Sequence, residues 1–165
     1  MSAPDWLHPF HQLVSELDYP LVVVTAAVDD ERSGCLVGFH SQCSIDPPRW
    51  WIGISKKNHT YRVGRQADVL AVHFLGEHDL ALAHVFGEET GDEVDKFSQC
   101  SWHPGPGGAP ILDDCANWVV YRVLDHHDGG DHFWFMVEPI AAQHGRSQRQ
   151  LGFQQVKGFH PGHRP

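Results

Sequence analysis

Apolar and polar positions alternate along this chain in short blocks, and the block lengths predict mostly extended structure. Val22, Val23 and Val24 open an apolar run over 21–28, "LVVVTAAV", too short for a core helix and β-branched enough for a buried strand. The polar stretch "DDERSG" predicts a turn, and "CLVGF" over 35–39 a returning strand, so the two runs form a hairpin. Asp46-Pro47-Pro48 excludes a helix or a central strand at that point. "RWWIGIS" over 49–55 and "VLAVHFLG" over 69–76 are the next two strands. Near the end, "ANWVVYRVLDHHD" and "DHFWFMVEPIAA" flank Gly129-Gly130, a hairpin signal.

Helical spacing is rarer. Trp6, Phe10, Leu13 and Leu17 fall on one stripe over 5–17, and Tyr19-Pro20 ends that helix. A short helix is expected over 58–66, with Asn58 or Thr60 as its cap. Another, over 77–87, places Leu80, Ala81, His84 and Val85 together and stops at Gly87. Residues 88–110 form a long loop rich in Gly and Pro, a length uncommon in compact domains unless it serves a function. The tail from Gln143 to Pro165 is polar and is expected to be partly disordered, although "LGFQQVKGF" could dock. About six strands joined by short links, with two or three short helices, favour a mainly β fold, an antiparallel barrel over alternating βαβ units. At 165 residues the chain is one domain, with its core over about 18–142.

Charge and composition then narrow the partners. Twenty-one acids against twelve bases give a formal charge of −9, which argues against nucleic acid and against an anionic membrane surface. No apolar run reaches the roughly 18 residues that span a bilayer, and residues 1–20 lack the basic and apolar regions of a secretion leader, so a cytoplasmic location is expected. Cys35, Cys43, Cys100 and Cys115 form no CxxC pair and are expected to be free thiols. No GxGxxG fingerprint of a Rossmann nicotinamide site and no GxSxG elbow is present.

One polar cluster stands out. Residues 38–44, "GFHSQCS", sit before the Pro-Pro break, where irregular backbone leaves N–H groups to meet a planar heterocycle or a phosphate. An ordinary polar turn is the competing reading. Further along, "GCLVGFHSQCSIDPPRWWIGISKKNHTY" presents Gly34, Ser41, Ser44, Asp46, Pro47, Pro48, Ser55, Lys56 and Thr60 in order. Phe86, Lys96-Phe97, Trp102, Gly105, Gly108 and Pro110 follow, and then "GGDHFWFMVEPI". This ordered set, spanning residues 18–142, resembles the flavin reductase-like, FMN-binding split-barrel family. Gln42 stands where that pattern has a serine, and His73 where many members have Asn.

The resemblance implies an antiparallel split β-barrel of Greek-key type and a homodimer with FMN at its interface. It implies NADH or NADPH as electron donor, and a partner monooxygenase that takes the reduced flavin. Carried onto this chain, Gly38, Phe39, His40, Ser41, Gln42, Cys43 and Ser44 would line the isoalloxazine. Ser55, Lys56, Asn58, His59 and Thr60, with Arg62 as a second cation, would hold the phosphate at the start of the short helix. Lys96 would lie in the loop over the flavin. His132, with Asp131 setting its tautomer, would face the reactive side near the nicotinamide. Other readings are a non-catalytic FMN or deazaflavin (F420) binder, or a haem or metal protein using His126-His127, Asp131-His132 or Cys100-x-x-His103.

Overall fold

The computed structural model describes residues 2–88 and 95–159, so residues 89–94 of the long loop and 160–165 of the tail lie outside the described residues. Seven antiparallel strands make one curved sheet: β1 (Val22–Val28), β2 (Glu31–Val37), β3 (His40–Ser44), β4 (Arg49–Ser55), β5 (Val69–Phe74), then β8 (Asn117–Asp128) and β9 (His132–His144). Their order is β2-β1-β5-β8-β9-β4-β3, and a small second sheet pairs β6 (Trp102–Pro104) with β7 (Pro110–Leu112). The helices are α1 (Leu7–Glu16), α2 (His59–Gly64), α3 (Leu80–Glu88) and α4 (Phe153–Val156). This is the expected mainly β split barrel.

Burial explains why the sheet curls. Alternate residues of the strands, among them Val22, Val24, Cys35, Val37, Ile52, Ile54, Leu70, Val72, Phe135 and Val137, meet in one fully covered cluster. Every strand of the large sheet but β3 thus contributes one face to that cluster, and the opposite faces of β1 and β5, with Val23 and Ala71, are buried in separate clusters. The outer edges β2 and β3 are consecutive in sequence, linked by Gly38-Phe39. The His40 Nε2–H donates to the Pro20 carbonyl oxygen at 2.6 Å, tying β3 to the start of β1.

Three expectations change. The turn between β1 and β2 is only Asp29-Asp30, so Glu31 to Gly34 belong to the strand instead of a six-residue turn. Asp29 adopts a left-handed backbone there, at φ 53°. Ser41 to Ser44, expected as a polar strand end, form an edge strand paired to β4, with an irregularity between Gln42 and Ser44. The tail docks as far as residue 159. Leu151 is completely buried, and backbone bonds join it to Leu21 and to Leu75. Gly152 bridges to Pro20, and Gln150 to Gly76, so a polar-looking segment docks where β1 begins and β5 ends.

The stripe on α1 forms as expected but faces outward: Trp6 is 64% exposed, and Phe10, Leu13 and Leu17 are exposed too. Among the described residues no helix is long and apolar enough to cross a membrane.

Candidate functional site

The β8–β9 hairpin brings the candidate catalytic pair to the end of the barrel. Gly130 turns the chain with φ 118°, a conformation that glycine adopts without strain, and His132 follows directly on β9. His132 lies opposite Ser55 in the β4–β9 ladder, and the Lys56 N–H donates to the Asp131 carbonyl oxygen at 2.9 Å. Two segments far apart in sequence are therefore locked side by side, so that Ser55, Lys56, Asp131 and His132 form one cluster.

His132 Nδ1 lies 2.7 Å from Asp131 Oδ1. A carboxylate only accepts, so Nδ1 carries the proton and Nε2 is left as the ring's other nitrogen. The hydrogen bond from His132 holds the Asp131 carboxyl below its ordinary range. The Phe39 ring packs on His132 at 4.7 Å between centroids, and lies parallel to Trp134 at 6.4 Å. Trp134 fits because it faces Gly53: a Cβ there would come within 2.7 Å of its indole. The same indole closes on Gly129, where a Cβ would approach to 2.5 Å. Sequence reasoning placed Phe39 and His132 but missed Trp134; its cross-strand glycine, visible in "WWIGIS", was the available signal.

Along β3, Ser41, Gln42 and Cys43 are exposed, and β4 is its only strand partner among the described residues. An edge strand of this kind offers backbone donors and acceptors to a planar ligand. Two neighbours point elsewhere. At Gly38 the close approach is made by Tyr19, whose ring would lie 2.6 Å from a Cβ. Tyr19 is itself stacked on Phe153 of the docked tail at 4.9 Å. His40 turns toward the barrel, stacked on Trp50, with burial pushing its imidazole below the ordinary value.

The expected phosphate residues divide as well. Lys56 Nζ donates to both oxygens of Asp128, at 2.7 and 2.8 Å. His59 Nε2 lies 3.0 Å from Glu31 and its Nδ1 lies 3.1 Å from Arg62. Lys56 therefore supplies a cation at the hairpin, while His59 and Arg62 lie on α2 against Glu31 of β2 and each other, each already in contact with a neighbour. Asn58 caps α2 by accepting from the Thr60 N–H at 2.9 Å, which occupies a donor expected to meet the phosphate. Thr60 is fully buried with its hydroxyl 2.8 Å from Ser33. Lys96 is also buried, its ammonium donating to the carbonyls of Gly34 and Phe86, apart from the His132 cluster. The polar groups of both residues thus already have partners in the interior.

Among the described residues no three His, Cys, Asp or Glu side chains are arranged to hold a metal ion. The four cysteines are free. Burial pushes the Cys115 thiol up to about 11.

A family model described as a flavin reductase like domain matches residues 14–162. The reductase component of a 4-nitrophenol 4-monooxygenase/4-nitrocatechol 2-monooxygenase from Rhodococcus opacus is 29% identical over 136 residues, covering 82% of this chain and 71% of that protein. An FMN reductase (NADH), RutF, from Agrobacterium fabrum is 26% identical, covering 74% of this chain and 70% of that one. The crystal structure of an FMN-binding protein from Thermus thermophilus with bound p-hydroxybenzaldehyde has a TM-score of 0.72 at 28% identity, over 77% of this chain and 72% of that chain.

Proposed function

Because the chain belongs to the flavin reductase like domain family, we propose that it is an oxidoreductase that binds FMN and takes a hydride from NADH or NADPH. The observation that carries this reading is the cluster at the hairpin tip. It joins an aromatic face, a cation and an oriented imidazole around one end of the barrel, and the exposed edge of β3 starts beside Phe39 and runs away from it along β4. The donor set suits a flavin. Phe39 and Trp134 offer a stacking surface, the exposed edge at Ser41–Cys43 offers hydrogen bonds to the ring system, and Lys56 offers charge to the phosphate.

When bound, the flavin supplies the hydride acceptor, a chemistry that side chains lack. The chain's own residues do the rest. His132, held in one tautomer by Asp131, presents Nε2 as a hydrogen-bonding group that orients the nicotinamide carboxamide or a flavin edge. Phe39 shields one face of that imidazole from water. The Lys56 N–H to Asp131 bond fixes the distance between cation and imidazole.

The relatives' names support two further steps: NADH as the donor, and delivery of reduced flavin to a partner monooxygenase. The outward apolar stripe of α1 supports a protein contact, and the family resemblance supports a homodimer with FMN at its interface. The test is NADH and NADPH oxidation followed at 340 nm with and without FMN. Flavin-dependent turnover with one nicotinamide supports the reductase. FMN binding with no turnover would leave a carrier of FMN, and turnover with neither FMN nor FAD would overturn the flavin assignment.

A further inference from the structure

The geometry points to Asp128 as an internal competitor for the flavin phosphate: its carboxylate occupies Lys56, weakens the hold on the phosphate and so makes the flavin an exchanging substrate. This rests on the flavin reading of the site given above.

Lys56 has three N–H donors, and two of them go to the same carboxylate. Asp128 is not a loose surface group. The Gly130 N–H donates to its Oδ1 at 3.0 Å, inside the turn that also sets His132. These bonds, from Lys56 first and Gly130 second, hold the Asp128 carboxyl below its ordinary range. The Asp128 side chain is 67% exposed, so it is open to displacement, whereas the Lys56 side chain is only 32% exposed. A phosphate arriving at Lys56 must therefore either displace a carboxylate or sit beside one. The neighbouring imidazole of His59 likewise meets an acid, Glu31 at 3.0 Å. Chain carboxylates thus already occupy positions that an anionic ligand would fill.

A like charge within several ångströms of a dianion in a half-solvated site opposes binding by roughly tenfold. The effect concerns only the phosphate. Riboflavin carries the same ring system and no phosphate, so its binding is indifferent to Asp128.

The test titrates FMN and riboflavin against the full chain and against Asp128→Asn, Asp128→Ser and Asp128→Glu, at low and high KCl, by flavin fluorescence. FMN release is timed by stopped flow. The expected result is about tenfold tighter FMN binding and slower FMN release in the two uncharged variants at low salt. Riboflavin binding should stay level, and Asp128→Glu should stay near the parent. An unchanged FMN-to-riboflavin ratio in both uncharged variants would overturn the role of Asp128 while leaving the flavin site standing. A parallel loss of both flavins would overturn it too, showing that Asp128 shapes the turn. Failure of the parent chain to bind either flavin would overturn the flavin reading, and this inference with it.

Discussion

Two histidines show how differently the two sides of this barrel treat polar groups. His73 on β5 is completely buried; its Nδ1–H donates to the Val23 carbonyl at 3.1 Å, and its Nε2 accepts the Leu112 N–H at 3.0 Å. Both nitrogens are committed to backbone, so the ring stitches β7 onto β1, and Thr25 adds a second stitch through the Pro110 carbonyl at 2.6 Å. Burial pushes the His73 imidazole down to about 4, which keeps it neutral. His132 is partly open, has one nitrogen on a side-chain carboxylate, and packs on an aromatic ring that is itself 42% exposed. The lesson is that residue type does not mark a functional histidine. A polar group whose partners are all backbone in a dry interior is architecture, whereas one with an exposed side-chain partner and a second nitrogen left open at a strand end can act on a ligand.

Removing the stitch should have the largest effect. His73→Phe leaves the Leu112 N–H buried without its imidazole partner and removes the bond to the Val23 carbonyl, and should cost about 4 kcal/mol of stability in urea unfolding. A loss below about 1 kcal/mol would show that β7 is held by other contacts.

The same residue predicts a pH dependence. Its folded value of about 4 lies below the ordinary 6.5, so the unfolded chain binds the proton more readily. The stabilisation is therefore complete above pH 6.5 and is lost progressively as pH falls toward 4, by up to about 3 kcal/mol. Comparing unfolding of the parent and His73→Phe at pH 7.5 and pH 5 isolates this contribution. Equal pH slopes in the two proteins would contradict it.

The docked tail belongs to the architectural side. Leu151→Ala should cost about 3 kcal/mol, read as a lowered melting temperature, while FMN affinity changes little at temperatures where the chain is folded.

On the open side the effect should be on rate. His132→Ala should slow hydride transfer about thirtyfold, near 2 kcal/mol of barrier, with FMN binding little changed and stability nearly intact. Single-turnover flavin reduction separates the two, and equal losses in binding and rate would remove the orienting role.

The strands were legible because their apolar runs are short and β-branched, as in "LVVVTAAV", and Gly129-Gly130 marked the longest hairpin correctly. The Asp131-His132 pair followed from the resemblance, whereas its place beside Ser55 and Lys56 is set by the β4–β9 ladder. What stayed hidden was tertiary. Thr60, read as a phosphate residue, has its hydroxyl on Ser33, and Lys96, read as part of a loop over the flavin, is buried with its ammonium on the Gly34 and Phe86 carbonyls. The tail looked polar because its apolar anchors, Leu151, Phe153 and Val156, are spread among polar residues, and its backbone bonds are ones that no side-chain pattern reveals. Asp128 escaped notice because its partner Lys56 lies 72 positions away.

The central claim is that the end of the barrel at Phe39, Lys56 and His132 is a flavin site at which a nicotinamide reacts. The most direct measurement is an anaerobic absorbance titration of the purified chain with FMN, followed by NADH and then NADPH, repeated with His132→Ala. A shift of the flavin bands on binding, bleaching by one nicotinamide, and slower bleaching at unchanged binding in the variant is the predicted result. An FMN spectrum untouched by the protein, or bleaching that proceeds equally fast without His132, would contradict it.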